Sequence, residues 1–271
     1  MKRSARKPPP KTLPPVLPNV GTEAIFRKRL DDLIEEMNNS IKYWIGATFK
    51  ANADEIAMDE LPSAALQRMI RKLARQWEKR FNDGAPRLAE YYTKAQHLRS
   101  KKQLEKILKD AGFQIDFKMN KKMQDIVRAT MNEQVSLIKS IQKQHFTQIE
   151  GLVMRAVTKG GDLNELSKKI HHQYGVTKRR AALISRDQNN KAVAVFTRAQ
   201  QLELGITEAL WMHSHAGKEP RPTHLANNGK KYDVAKGWYD PDANGKGKGA
   251  WIHPGELINC RCVSRSIIPG L

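Results

Sequence analysis

The chain has two cysteines, and they stand one residue apart in HPGELINCRC, residues 253–262. The same stretch contributes His253, and HSHAGKEPRPTHLANNGKKY, residues 213–232, adds His213, His215 and His224. Two thiolates and two imidazoles make a tetrahedral zinc site, and the predicted set is Cys260, Cys262, His224 and His253. If CRCVSRSII is a strand, alternate side chains share a face, so Cys260 and Cys262 point the same way. A C-x-C pair is a weaker metal signal than paired C-x-x-C motifs. The plainer alternative stays open: small buried thiols, histidines bonded to loop backbone, and Arg221 and Arg261 pinning loops through carbonyls or ion pairs.

The same residues allow a catalytic reading. His213, His215, His224, His253 and Asn259 are the residue types of a metal-dependent histidine–asparagine–histidine nuclease. That chemistry needs a metal, a general base and a strand–helix frame. No helical pattern follows Asn259 to carry a third ligand. The nearby acids Glu219, Asp233, Asp240, Asp242 and Glu256 show no paired-carboxylate spacing for magnesium. A thiol nucleophile, Cys260 or Cys262 activated by His253, lacks an evident third group to orient it. The sequence therefore favours a non-enzyme, with no cofactor beyond the candidate zinc.

The elements around these loops are mostly helical. The 271 residues and 30.8 kDa allow one large domain or two modest ones. Hydrophobic residues make up 39% and charged residues 28%, which favours long exposed helices over one sphere. The segment 22–52 has Phe26, Leu30, Leu33, Met37, Ile41 and Trp44 at three- and four-residue spacing, with Thr22 as N-cap. A second helix starts near Pro62, carries Leu66, Ile70, Leu73, Trp77 and Phe81, and stops at NDGAP. A third covers roughly 86–111 and stops at Gly112. A fourth runs from Lys121 to Val157, about 50 Å at 1.5 Å per residue. GGDLNELSKKIHHQYG is a short helix with a capping box, Asp162 and Glu165. Thr177 caps the next, which closes at Gly205. After Gly205 the helical period gives way to short strands and long loops. The fold class is thus α+β: a mainly helical N-terminal region with long helices, then a small loop-rich α+β domain with few short strands. The segments are a basic proline-rich arm at 1–20, long helices at 21–160 and a C-terminal domain at 161–271.

Charge points to the partner class. The net charge is +20 and the pI about 10.0, a balance suited to a polyanion such as DNA. Arg68, Arg71, Lys72, Arg75 and Lys79 line one side of the second helix and are the candidate DNA or partner contacts, against the alternative of a solvated face. No helix-turn-helix or aromatic-interleaved basic strip is present, so contact with phosphates would be sequence-blind. The arm is expected to be extended or disordered and to dock on a neighbour. It lacks the apolar run of a signal peptide, and no stretch reaches the apolar length of a membrane span. Two adjacent thiols suggest no disulfide framework and a reducing setting.

GITEALWMHSHAGKEPRPTHLANNGKKY followed by HPGELINCRC resembles the C-terminal domain of phage minor head proteins, the Mu F-like head morphogenesis family. The motif residues are Trp211, Arg221, His224, Gly229, Lys230, Pro254, Gly255, Asn259, Cys260, Arg261 and Cys262. RRAALISRDQNNKAVAVFTRAQ resembles the family's run before the tryptophan. Many members carry an aspartate two residues before the arginine, where this chain has Glu219. The resemblance covers roughly 163–268. It implies a minor capsid protein in the virion, in the head interior near the portal vertex after assembly in the host cytoplasm. The implied partners are the portal protein, major capsid or scaffold proteins and packaged DNA phosphates, with no membrane. The implied roles are head assembly and DNA packaging or ejection.

Overall fold

The structure, a computed structural model, describes residues 10–51, 63–158, 163–216 and 219–268. Four long helices dominate: α1 (Val20–Ala51), α2 (Ser63–Asp110), α3 (Lys121–Thr158) and α4 (Leu163–Glu203). A short helix, α5 (Pro222–Ala226), and six short strands complete it: β1 (Lys11–Thr12), β2 (Glu208–Met212), β3 (Lys231–Asp233), β4 (Trp238–Asp240), β5 (Ala250–Ile252) and β6 (Val263–Ile268). These are the long helices and few short strands of an α+β chain.

The chain forms two compact units whose boundaries fall inside α1, α2, α3 and α4. The first contains residues 23–92 and 131–185. Its core is a continuous apolar cluster. From α1 it takes Phe26, Leu30, Ile34, Met37, Ile41, Ile45 and Phe49, and from α2 Leu66, Ile70, Leu73, Trp77 and Phe81. Spacings of three and four keep each set on one face. The α1 stripe passes through Ile34 and Ile45; Leu33 is only partly buried and Trp44 is 46% exposed. Fully burying such a side chain contributes about 1.5–3 kcal/mol.

Two expected helix breaks are absent. Pro86 lies inside α2, so the helices expected on either side of NDGAP are one. Ala85, Ala89 and Tyr92 continue the buried face of Phe81 in phase, and that burial outweighs the roughly 3 kcal/mol a proline costs. Gly175 lies inside α4, because Leu166, Ile170, Thr177 and Ala181 share one buried face across it. The glycine costs only about 1 kcal/mol. Asp162 of the expected capping box lies outside the described residues. Asn19, rather than Thr22, caps α1: its Oδ1 accepts from the Thr22 amide at 2.8 Å and the Thr22 hydroxyl at 3.1 Å. The expected stops at Gly112 (φ 99°) and Gly205 (φ 70°) are present, each left-handed, where glycine is favoured.

The second unit contains residues 10–22, 93–130 and 186–268. Its main sheet is antiparallel, in the order β1-β6-β2-β3, and β4 pairs with β5. The β2–β6 register runs from Glu208 opposite Ile267 to Met212 opposite Val263. The described end of the basic arm is therefore structured. It adds β1 to the edge of β6 and buries Leu13 and Val16 beside Leu104, Leu108 and Phe117. The arm docks on its own unit here; residues 1–9 lie outside the described residues. Among the described residues no helix is long and apolar enough to cross a membrane.

Candidate functional site

Three of the four predicted zinc ligands converge. His224 sits on α5, with Pro222 in its first turn. Cys260 and Cys262 lie in the turn before β6, not on a strand as expected. Asn259 makes that turn: its φ of 65° is left-handed, a conformation asparagine tolerates better than most residues. His224 Nδ1 lies 3.5 Å from Cys260 Sγ and 3.6 Å from Cys262 Sγ. One ligand atom from each residue lies within 4.8 Å of the others, and all three residues are buried. Both thiols are free. The S–H of Cys262 bonds toward Cys260 and pulls the Cys260 thiol down, and the same contact with burial pushes Cys262 up. The two titrate as one pair.

The other face of the imidazole meets Asp240 at the end of β4. His224 Nε2 is 3.2 Å from Asp240 Oδ2, a close contact lying off the line of a hydrogen bond. The Asp240 side chain is completely buried and also accepts from the Thr223 hydroxyl at 3.2 Å and the Asp242 amide at 3.0 Å. Trp211, from β2, stands edge-on to the His224 ring at 5.1 Å and to Trp238 at 5.4 Å. These rings wall the cluster on its core side. On the other side a cleft of about 560 Å³ opens, lined in part by His213, Ser214, Arg221 and the three cluster residues.

The fourth predicted ligand is elsewhere. His253 Nδ1 accepts from Arg198 at 2.7 Å and lies 3.2 Å from Glu256 Oε2, which also takes the His253 amide at 2.7 Å. The contacts with the His253 ring and amide hold the Glu256 carboxyl below its ordinary range. His213 and His215 pack against each other at 4.7 Å. Of the residues grouped as a nuclease site, His213, His224 and Asn259 line the same cleft, whereas His253 is held apart by Arg198 and Glu256.

The remaining motif residues shape loops. Arg221 donates to the Ile258 carbonyl at 2.9 Å, and Arg261 to that of Ala216. Pro254 and Gly255 are buried. Gly255 has φ 82°, and a Cβ there would lie 2.9 Å from the Ala194 Cβ, so only glycine fits without displacement. The Gly229 amide donates to the Trp211 carbonyl at 2.7 Å, and the Trp211 amide to the Lys230 carbonyl at 2.9 Å.

Sequence reasoning missed the side chains of α4 that hold this segment. Asp187 accepts from the Asn259 amide at 2.6 Å, and Arg186 donates to the Asn259 side chain at 3.3 Å. Asn190 donates to the Cys260 carbonyl at 3.3 Å. Gln201 donates to Ser264 at 3.0 Å and Ser266 at 2.8 Å. The signal was available: Asp187, Asn190, Ala194, Arg198 and Gln201 recur at three- and four-residue spacing, a mostly polar face that is buried or half-buried. The predicted basic face lies in the other unit. Arg68, Arg71, Lys72, Arg75 and Lys79 are all exposed. Arg71 is 3.9 Å from Glu150 and Lys79 2.7 Å from Asp83, while Arg68, Lys72 and Arg75 make no ion pair among the described residues.

Residues 147–265 match the model of a family described as Phage Mu protein F like protein. An uncharacterized protein of Haemophilus influenzae is 31% identical over 142 residues, 52% of this chain and 29% of that relative. The chain thus corresponds to less than a third of that relative's length. No solved structure matches. The family match begins within α3, upstream of the resemblance noted at 163–268, and takes in α4, strands β2 to β5, the start of β6 and the thiol–imidazole cluster. Over residues 147–265, a little under half of its length, the chain is similar to the Phage Mu protein F-like family.

Proposed function

We propose that this chain is a phage head-morphogenesis protein, portal-associated inside the head, which touches packaged DNA through phosphates without reading sequence. The observation that carries the reading is the family match across 147–265, which suggests capsid-related work and a place in the virion. The +20 charge supports a DNA-facing position, since proteins crowded against DNA must not be repelled by it. In this reading the helices of 21–160 are the limb that engages portal, capsid or scaffold protein, and 161–271 is the family domain. Arg68, Lys72 and Arg75, which make no ion pair among the described residues, offer the phosphate contacts, flanked by Arg71 and Lys79. The role is structural rather than catalytic.

Two measurements test it. Mass spectrometry of heads purified from the encoding phage should find the chain at low copy with the portal protein; its absence from heads refutes the assignment. Anisotropy titration of the full chain with two duplexes of unrelated sequence should give equal affinities that fall with salt. Arg68→Glu with Lys72→Glu and Arg75→Glu should weaken both equally and flatten the log Kd–log salt slope by about 3. Unchanged binding would remove this face from the DNA contact.

A further inference from the structure

We propose that His224, Cys260 and Cys262 bind one zinc ion, with His224 Nδ1 and the two sulfurs as chain ligands and Asp240 orienting the imidazole. Zn–S bonds of about 2.3 Å and a Zn–N bond of about 2.0–2.1 Å at the tetrahedral angle place N and S roughly 3.5 Å apart. The two observed separations are 3.5 and 3.6 Å. The two sulfurs also lie within 4.8 Å of each other, so three chemically suitable atoms stand near three corners of a metal tetrahedron, on segments 36 residues apart in sequence.

The surroundings have the form a metal requires. Asp240 beside Nε2 favours the tautomer with its proton there, which leaves the Nδ1 lone pair aimed at the sulfurs. A carboxylate behind a ligating histidine fixes the ring and raises its basicity. Asp240 is itself held by Thr223 and the Asp242 amide, so its position is set before any ligand arrives. The buried Trp211 indole N–H has no oxygen or nitrogen partner and acts on the Cys262 thiol, which it favours in the anionic form. The cleft of about 560 Å³ supplies an entry path and room for a fourth ligand, a water. His253, bonded to Arg198 and Glu256, is not a ligand. Thiolate-rich coordination selects zinc over magnesium or calcium, which take oxygen. Such an ion would tie α5 to the turn before β6, where the apolar core is small.

The test is a titration of the metal-stripped full chain with Co²⁺ under reducing conditions. Expected is one equivalent bound, with a thiolate-to-cobalt charge-transfer band in the near ultraviolet, tetrahedral d–d bands, and loss of both on adding one equivalent of Zn²⁺. Asp240→Asn should keep the stoichiometry and the spectrum but weaken Zn²⁺ binding 10- to 100-fold. Cobalt uptake without charge transfer would mean binding at other histidines and would overturn the proposal, as would no uptake. An Asp240→Asn protein binding Zn²⁺ as tightly as the parent would overturn the role of Asp240. The wild-type titration does not depend on any variant folding.

Discussion

The helical unit and the strand-bearing unit bury different kinds of side chain. In the first, Phe26, Leu30, Ile34, Met37 and Ile41 meet Leu66, Ile70 and Phe81 in one large apolar cluster, with a few buried polar side chains such as Asn38, His145 and Ser185 in the same unit. In the second, the apolar cluster around Trp211, Tyr232 and Val234 is small, and Asp240, Asn227, Gln201, Ser266 and His224 are buried beside it. Apolar contact is non-directional and tolerates small shifts, whereas buried polar groups stabilise only when each finds its partner. The helical unit should therefore yield to loss of volume, and the strand-bearing unit to loss of particular bonds.

The largest expected effect probes volume. Phe26 stacks on Tyr92 with ring centroids 3.8 Å apart and is 1% exposed. Phe26→Ala should lower stability by about 3–5 kcal/mol in urea denaturation followed by circular dichroism. A loss under 1 kcal/mol would mean that the cluster can collapse around the gap and is not tightly packed.

A somewhat smaller effect comes from one of the polar side chains buried in that unit. His145 is buried, and its Nδ1 lies 2.8 Å from the Thr177 hydroxyl, which itself donates to the Gln173 carbonyl at 3.0 Å. The hydroxyl proton is committed there, so Nδ1–H is the donor and Nε2 carries the lone pair. Burial lowers this imidazole from 6.5 to about 4. As pH falls the unfolded chain takes up the proton first. Stability from this group is thus complete above pH 6.5 and declines between pH 6.5 and about 4, by up to roughly 3 kcal/mol. Melting curves of the parent and His145→Gln over that range should converge as pH falls. Parallel curves would show that His145 is not held neutral.

The same contrast governs what was legible in the sequence. Stripes such as Leu66–Ile70–Leu73–Trp77–Phe81 are periodic, so helix and core were both readable. Pro86 and Gly175 misled because each is a local signal, and a buried face continuing in phase overrides it. The motif residues of the candidate site were legible by type and order, but their geometry was not. Cys260 and Cys262 face His224 through a left-handed turn at Asn259 rather than through strand alternation. His253 was grouped with them by residue type, although Arg198, 55 residues away, claims its ring nitrogen. Asp240 and Asp187 were invisible as partners because their roles arise only when distant segments meet.

The comparison rests most directly on what holds the strand-bearing unit together. Hydrogen-exchange mass spectrometry of the full chain, as purified with zinc and after a zinc chelator, reads both units in one experiment. Expected is faster exchange across 208–268 after chelation, with the amides of 26–49 unchanged. No change in 208–268, or equal acceleration in both, would contradict a strand-bearing unit clamped through His224, Cys260 and Cys262.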